Sequence, residues 1–273
     1  MVTSSETPPP ATLGVDRLGR AFAAGAAVGV VGGLVGLGGA EFRLPLLIGM
    51  FGFVALEAVI VNKAMSLLVV LVAVPARLLV VPASEVVGHL GVVANLLIGS
   101  VAGAWVGASW AARAREATLY RVLAVLLVGI AAVFTAYHLG WLPVLDLPAV
   151  VLAVAGVVAG FGIGVVAAVM GVAGGELLIP TITVLYGLDV KLAGSLSLLV
   201  SLPTMLVAFL RYSRSQAFTV LGRVPAFVAA MAAGSIAGTL LGGLAVGVVP
   251  VGVIVPLVVV LLLGSAAKVW HHA

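Results

Sequence analysis

Gly36-Leu37-Gly38-Gly39-Ala40-Glu41-Phe42-Arg43-Leu44-Pro45 returns later in the chain as Gly171-Val172-Ala173-Gly174-Gly175-Glu176-Leu177-Leu178-Ile179-Pro180. Gly36, Gly39, Glu41 and Pro45 are matched by Gly171, Gly174, Glu176 and Pro180, each pair 135 positions apart. The offset recurs downstream. Gly99, Gly103 and Gly107 pair with Gly234, Gly238 and Gly242, and Gly129 pairs with Gly264. Between these blocks, Ser66-Leu67-Leu68-Val69 best matches Ser197-Leu198-Leu199-Val200, which assigns a four-residue local insertion to the first half. Several blocks in one order read as an internal duplication, and a duplication this long sets the organisation of the whole chain.

The repeated units are apolar. Of 273 residues 63% are hydrophobic and 8% charged, so a charged, water-facing surface is excluded and a bilayer is the natural solvent. Nearly uninterrupted apolar runs, long enough to cross about 30 Å of hydrocarbon, recur from Ala21 onward. Five segments are expected per half, at about 21–36, 41–54, 60–81, 90–111 and 119–139, then 150–170, 176–187, 191–211, 223–246 and 250–269. The second segment of each half is short and follows a glycine cluster, so segments one and two together read as a broken or re-entrant helical hairpin. Such backbone survives at membrane depth only where protein or a water-filled cavity satisfies its polar groups. Residues 1–19, with Pro8, Pro9 and Pro10, read as a disordered cytoplasmic tail, residues 20–140 as the first repeat and 141–273 as the second. The first apolar segment recurs in the second half, so it reads as part of the fold, not as a cleaved signal.

Basic residues suggest the orientation. Arg17 and Arg20, Arg113, Arg115 and Arg121, Arg211, Arg214 and Arg223, and Lys268 fall at four places that the positive-inside rule assigns to the cytoplasm. The loops at 140–148 and 247–251 lack Lys and Arg and fit the outside. The crossings then balance if the first hairpin enters from the cytoplasm and the second from outside. The expectation is an all-α membrane protein of two inverted halves, each a hairpin plus three transmembrane helices, with both termini cytoplasmic. Secondary transporters commonly have this plan, with broken helices meeting around the substrate.

Glycines at the breaks (Gly36, Gly38, Gly39, Gly171, Gly174, Gly175) leave backbone N–H groups free at the start of the next half-helix, where anions bind. The alternative is close helix packing, which is how the ladders at Gly99 and Gly234 read. Glu41 and Glu176 are intramembrane carboxylates, hence candidates for proton coupling; as acids in a first turn they are equally candidates for helix caps, or for cation ligands. Arg43, Lys63 and its neighbour Asn62 are candidate substrate contacts in the first half only, since Leu178 and Gly194 stand at the places that correspond to Arg43 and Lys63 in the second. Snorkelling to the interface is the alternative for Lys63 and the preferred reading for Arg77. Ser66, Thr181, Ser195 and Ser197 are candidate hydrogen-bond donors to substrate, or glue between helices. Trp105, Trp110 and Trp141 read as interface anchors or packing residues. The four histidines have no metal-ligand spacing, and zero cysteines exclude disulfides and thiolate chemistry. No catalytic group, metal, cofactor or nucleic-acid partner is expected.

At the two glycine-plus-proline blocks, the Ser-rich third segment of the second half and the two glycine ladders, the chain resembles the TauE/SafE family of membrane permeases, over about residues 20 to 270. The resemblance implies export of small sulfur-containing anions, such as sulfite or sulfoacetate, across the bacterial cytoplasmic membrane, driven by an ion gradient. Many members carry an apolar residue or glycine where this chain has Glu41 and Glu176. The expected function is secondary transport of a small anion by alternating access, with a cation carrier and a passive anion channel as alternatives. The expected partners are that anion and the lipid bilayer, and self-association is left open.

Overall fold

The computed structural model describes residues 15–35, 39–78, 82–244 and 251–272, all of whose regular elements are helices. The first half has α1 (Val15–Val35), α2 (Ala40–Gly49), α3 (Ala55–Leu78), the single-turn α4 (Ala83–Gly88), α5 (Leu90–Ala111) and α6 (Glu116–His138). The second half has α7 (Ala149–Met170), α8 (Gly175–Tyr186), α9 (Val190–Tyr212), a short 3-10 turn followed by α10 (Val220–Arg223), then α11 (Pro225–Leu244) and α12 (Val251–Trp270). The ten expected apolar segments all appear as helices. Among the described residues, seven helices (α3, α5, α6, α7, α9, α11 and α12) are long and apolar enough to cross a membrane. At 1.5 Å per residue, α2 and α8, with 10 and 12 residues, cover only about half of the bilayer core.

The element register refines the repeat. Ala40, Ala55, Leu90 and Glu116 open α2, α3, α5 and α6, and Gly175, Val190, Pro225 and Val251 open their counterparts, each 135 positions on. The four-residue insertion expected before Ser66 is therefore not an extra length of chain ahead of α3. Counted from the helix starts, Ser66 corresponds to Ser201, and the Ser66/Ser197 similarity is displaced by about one helical turn along α9. One turn returns a motif to almost the same face, which is why the local match is convincing without reflecting position.

The halves interleave. α1 packs on α11 and α7 on α5; α2 packs on α12 and α8 on α6; α3 meets α9. Each of these contacts thus has a counterpart with the halves exchanged, the α3–α9 contact being its own. The glycine ladders explain the first pair of contacts. A Cβ built on Gly103 would run into the Phe161 carbonyl oxygen, and one on Gly238 into that of Ala26. Only backbone hydrogen fits there, so α5 lies against α7, and α11 against α1, at a separation that dispersion forces reward and larger side chains forbid.

Two sets of contacts mark the ends of the bundle. At one end Arg17 at the start of α1 donates to the Phe51 carbonyl just after α2 (3.0 Å), Glu57 at the start of α3 pairs with Arg223, and Tyr120 on α6 stacks near His272. At the other, the Leu145 amide in the α6–α7 loop donates to the Val184 carbonyl near the end of α8 (2.9 Å), and Tyr137 on α6 reaches Thr183. α3 and α9 are the most enclosed of the long helices, whereas α7 and α12 turn broad Val- and Leu-rich faces outward. Exposed apolar surface of that extent is the lipid-facing surface of a membrane protein.

Candidate functional site

Each hairpin breaks at glycine. Gly39 ahead of α2 has φ +72°, and Gly171 and Gly174 between α7 and α8 have φ +72° and +84°. These left-handed conformations are strained for residues with a Cβ, so they end one helix and redirect the chain into the next. Gly171 is also crowded, since a Cβ there would strike the Val59 carbonyl of α3. Gly175 opens α8 with free space where a Cβ would stand. Gly36 and Gly38 lie outside the described residues, as does the side chain of Arg77.

A buried polar network from α2, α3, α9 and α11 surrounds the breaks. Asn62 on α3 donates its amide to the Ala40 carbonyl at the start of α2 (2.9 Å) and the Met170 carbonyl at the end of α7 (3.3 Å), tying the two breaks together. Lys63, one residue on, donates to the Ala167 and Val172 carbonyls at 2.7 Å each. Tyr212, at the end of α9, donates to the Ala168 carbonyl at 3.0 Å. Ser66 donates to the Gly171 carbonyl (3.3 Å). The end of α7 thus has donors for its last carbonyls, and an ammonium group lies at the negative end of the helix dipole. Lys63 is fully buried, so the snorkelling alternative is replaced by this capping geometry.

Arg43 projects from α2 and is 1% exposed. One guanidinium nitrogen donates to Ser66 Oγ on α3 (3.0 Å) and another to Ser235 Oγ on α11 (3.3 Å), while its Nε has no partner. No carboxylate among the described residues lies within ion-pair distance of it. Among the described residues the one salt bridge is Glu57–Arg223, near the end of the bundle. Glu41 and Glu176, each the second residue of its half-helix, are 1% and 2% exposed, and neither carboxyl oxygen of either has a hydrogen-bond partner. Neither caps its helix through its side chain. Asn62 Oδ1 and Ser201 Oγ are likewise buried without partners. Unpartnered buried polar atoms are costly, by roughly 1–3 kcal/mol for a neutral group and more for a charged one, which makes these groups candidates for binding or proton transfer.

Of the expected site residues, the structure places Gly39, Glu41, Arg43, Asn62, Lys63, Ser66, Gly171, Gly174, Gly175 and Glu176 at the two breaks or in the buried polar set around them. Three others lie elsewhere. Ser195 and Ser197 donate to their own helix, at the Lys191 and Gly194 carbonyls (3.3 and 2.9 Å), and Thr181 is half-buried on α8. Sequence reasoning missed Ser235 and Ser201. Ser235 falls inside a glycine ladder that reads as packing, and a search for its repeat partner, Ser100, 135 positions earlier, would have singled it out. Ser100 itself bonds Thr204 on α9 at 2.7 Å, so equivalent serines serve different partners in the two halves.

Neither a curated protein nor a solved structure gives a match to this chain. The profile of one family, described as Sulfite exporter TauE/SafE, matches residues 21–269 and so takes in both hairpins, the buried network and both glycine ladders. A helical membrane protein with a polar centre, matched over nearly its whole length, the chain belongs to the TauE/SafE sulfite exporter family.

Proposed function

We propose that the chain is a secondary transporter of a small anion, sulfite or an organosulfonate, which it exports across the bacterial cytoplasmic membrane by alternating access with protons as the coupled ion. The family supports transport of a sulfur-containing anion. The observation that carries the site is Arg43: a guanidinium enclosed among three helices, held by two serine hydroxyls, without a carboxylate partner among the described residues and with a free Nε. Guanidinium offers planar, forked donation to an oxyanion, and first-turn N–H groups of α2 and α8 are further neutral donors at the breaks.

Charge balance supplies the coupling. Arg43 and Lys63, with Glu41 and Glu176, make a buried set of two cations and two anions whose sum is zero when all are ionised. Bringing in an anion unbalances that sum inside a low-dielectric interior, at a cost that protonating one carboxyl per unit charge removes. Two carboxyls suffice for a divalent anion. In this reading protons accompany the anion, and flux runs outward when the anion accumulates inside.

The halves, 20–140 and 141–273, are proposed to lie inverted in the membrane. Supporting this are the exchange symmetry of helix packing, the Arg17–Phe51 contact that returns α2 to the end where α1 begins, and the Leu145–Val184 contact that returns α8 to the end where α7 begins. The positive-inside rule puts the Arg17 end, and with it both termini, in the cytoplasm.

Proteoliposome uptake of radiolabelled sulfite and sulfoacetate tests the reading. Wild-type protein is expected to transport at least one, and Arg43→Ala to lose nearly all of it with folding retained. A second reading, a cation carrier, is favoured by the two orphan carboxyls alone. Cation uptake lost in Glu41→Gln but kept in Arg43→Ala would establish that reading instead.

A further inference from the structure

Away from the buried network, near the end of the bundle where α5 and α9 finish, a surface groove of about 430 Å³ is lined by Trp105, Val106, Ser109, Trp110, Arg113 and Ala114. Both tryptophans are large, apolar and exposed, at 44% and 41%. From α9 and the turn after it come two further guanidinium groups: Arg211 and Arg214 stand over the Trp105 ring at 5.6 and 5.7 Å, and Arg211 Nε donates to Ser109 Oγ at 2.7 Å. The groove therefore has an aromatic wall and three arginines, and none of its lining residues is acidic. Stacking on Trp105 and the bond to Ser109 hold two of the cations in place, which lowers the ordering cost of binding an anion.

We propose that this groove binds the phosphate headgroup of an anionic phospholipid, with the acyl chains lying along α5 beside Trp105 and Val106. Several features distinguish a lipid from a soluble anion. Trp105 lies one to two turns inside the end of α5 and Arg113 beyond it, so along this helix an apolar part and a cationic part follow each other in the order of a lipid's chains and headgroup. The charge complements an anionic lipid, and a basic pocket between transmembrane helices suits a phosphate headgroup. The site is separate from Arg43, Lys63 and the two buried carboxyls, so transport and lipid binding are tested independently. Bound lipid would tie α5 of the first half to α9 of the second.

Tryptophan quenching by brominated lipid reads the groove directly. The chain has four tryptophans, and Trp141→Phe with Trp270→Phe leaves the two in the groove as reporters. In nanodiscs, brominated phosphatidylglycerol is expected to half-quench this protein at a several-fold lower mole fraction than brominated phosphatidylcholine. In the further variant Arg113→Gln/Arg214→Gln, two exposed positions whose helix content is checked by circular dichroism, the two lipids are expected to quench equally. Equal quenching before the arginines are removed would overturn the proposal, as would a preference that survives their removal. Loss of the preference on adding millimolar inorganic phosphate at constant ionic strength would make this a free-anion site. Absence of quenching by either lipid would mean that protein, for instance a second copy of the chain, covers the groove.

Discussion

Lys63 and Arg43 are both buried cations, yet their surroundings assign them different work. The Lys63 ammonium is committed to two backbone carbonyls at the end of α7, so removing it strips the buried Val172 carbonyl of its donor and leaves the Ala167 carbonyl only backbone N–H groups. Lys63→Met is expected to destabilise the fold by roughly 3 kcal/mol, from the lost charged hydrogen bonds. A thermal unfolding series in detergent checks this. Arg43 keeps Nε free and leans on hydroxyls that can exchange partners. Arg43→Lys is expected to fold normally but bind the anion at least tenfold more weakly, since an ammonium cannot reproduce the fork; isothermal titration with sulfite measures it. Glu41 and Glu176 were legible as candidates from the sequence, because a carboxylate repeated in a symmetric, apolar setting is conspicuous. That their side chains make no cap was not legible, since a first-turn acid looks the same in sequence whether or not it bonds its helix.

At the level of helices, the glycines have two functions that spacing already separates. Clustered glycines at the breaks adopt left-handed backbone, whereas glycines four residues apart on α5 and α11 bring whole helices into contact. Gly103→Leu and Gly238→Leu should each force a pair of helices apart and cost at least about 1–3 kcal/mol, the range for overpacking, with loss of transport following loss of fold. Folding yield and melting temperature in detergent check both. The ten apolar helices were readable because hydropathy and length dominate membrane insertion. Partnership was not. Nothing in the ladder on α5 says that it meets α7 of the other half and not a neighbour in its own, because small residues state only that something comes close. The same limit hid Ser235, whose significance depends on α11 lying beside α2 and α3. The displaced Ser66/Ser197 match has a related cause: a shift of about one turn preserves the helix face, so local similarity cannot report axial position.

For the whole molecule, the proposed inversion makes a plain prediction about sidedness. The chain has no cysteine, so single substitutions give an unambiguous label. Val144→Cys, in the α6–α7 loop, is expected to react with a membrane-impermeant maleimide added outside intact cells, whereas Ser213→Cys, just past α9, reacts only after permeabilisation. Labelling of both from the same side would remove the inverted arrangement. The exchange of packing partners between halves also bears on motion. Because α1 packs on α11 and α7 on α5, the proposed rocking movement would carry helices from both halves together, and Asn62 bonds to both breaks.

In the proposed cycle a buried set of two cations and two carboxyls takes up one proton for each negative charge of its anion. Recording lumenal pH and labelled anion uptake together, in proteoliposomes that hold a pH-sensitive dye, reads that ratio. Protons are expected to enter with the anion in a ratio equal to its charge, and Glu41→Gln or Glu176→Gln to break the ratio while anion binding persists. Anion uptake with no proton movement, or a ratio unchanged when both carboxyls are replaced, would overturn the coupling.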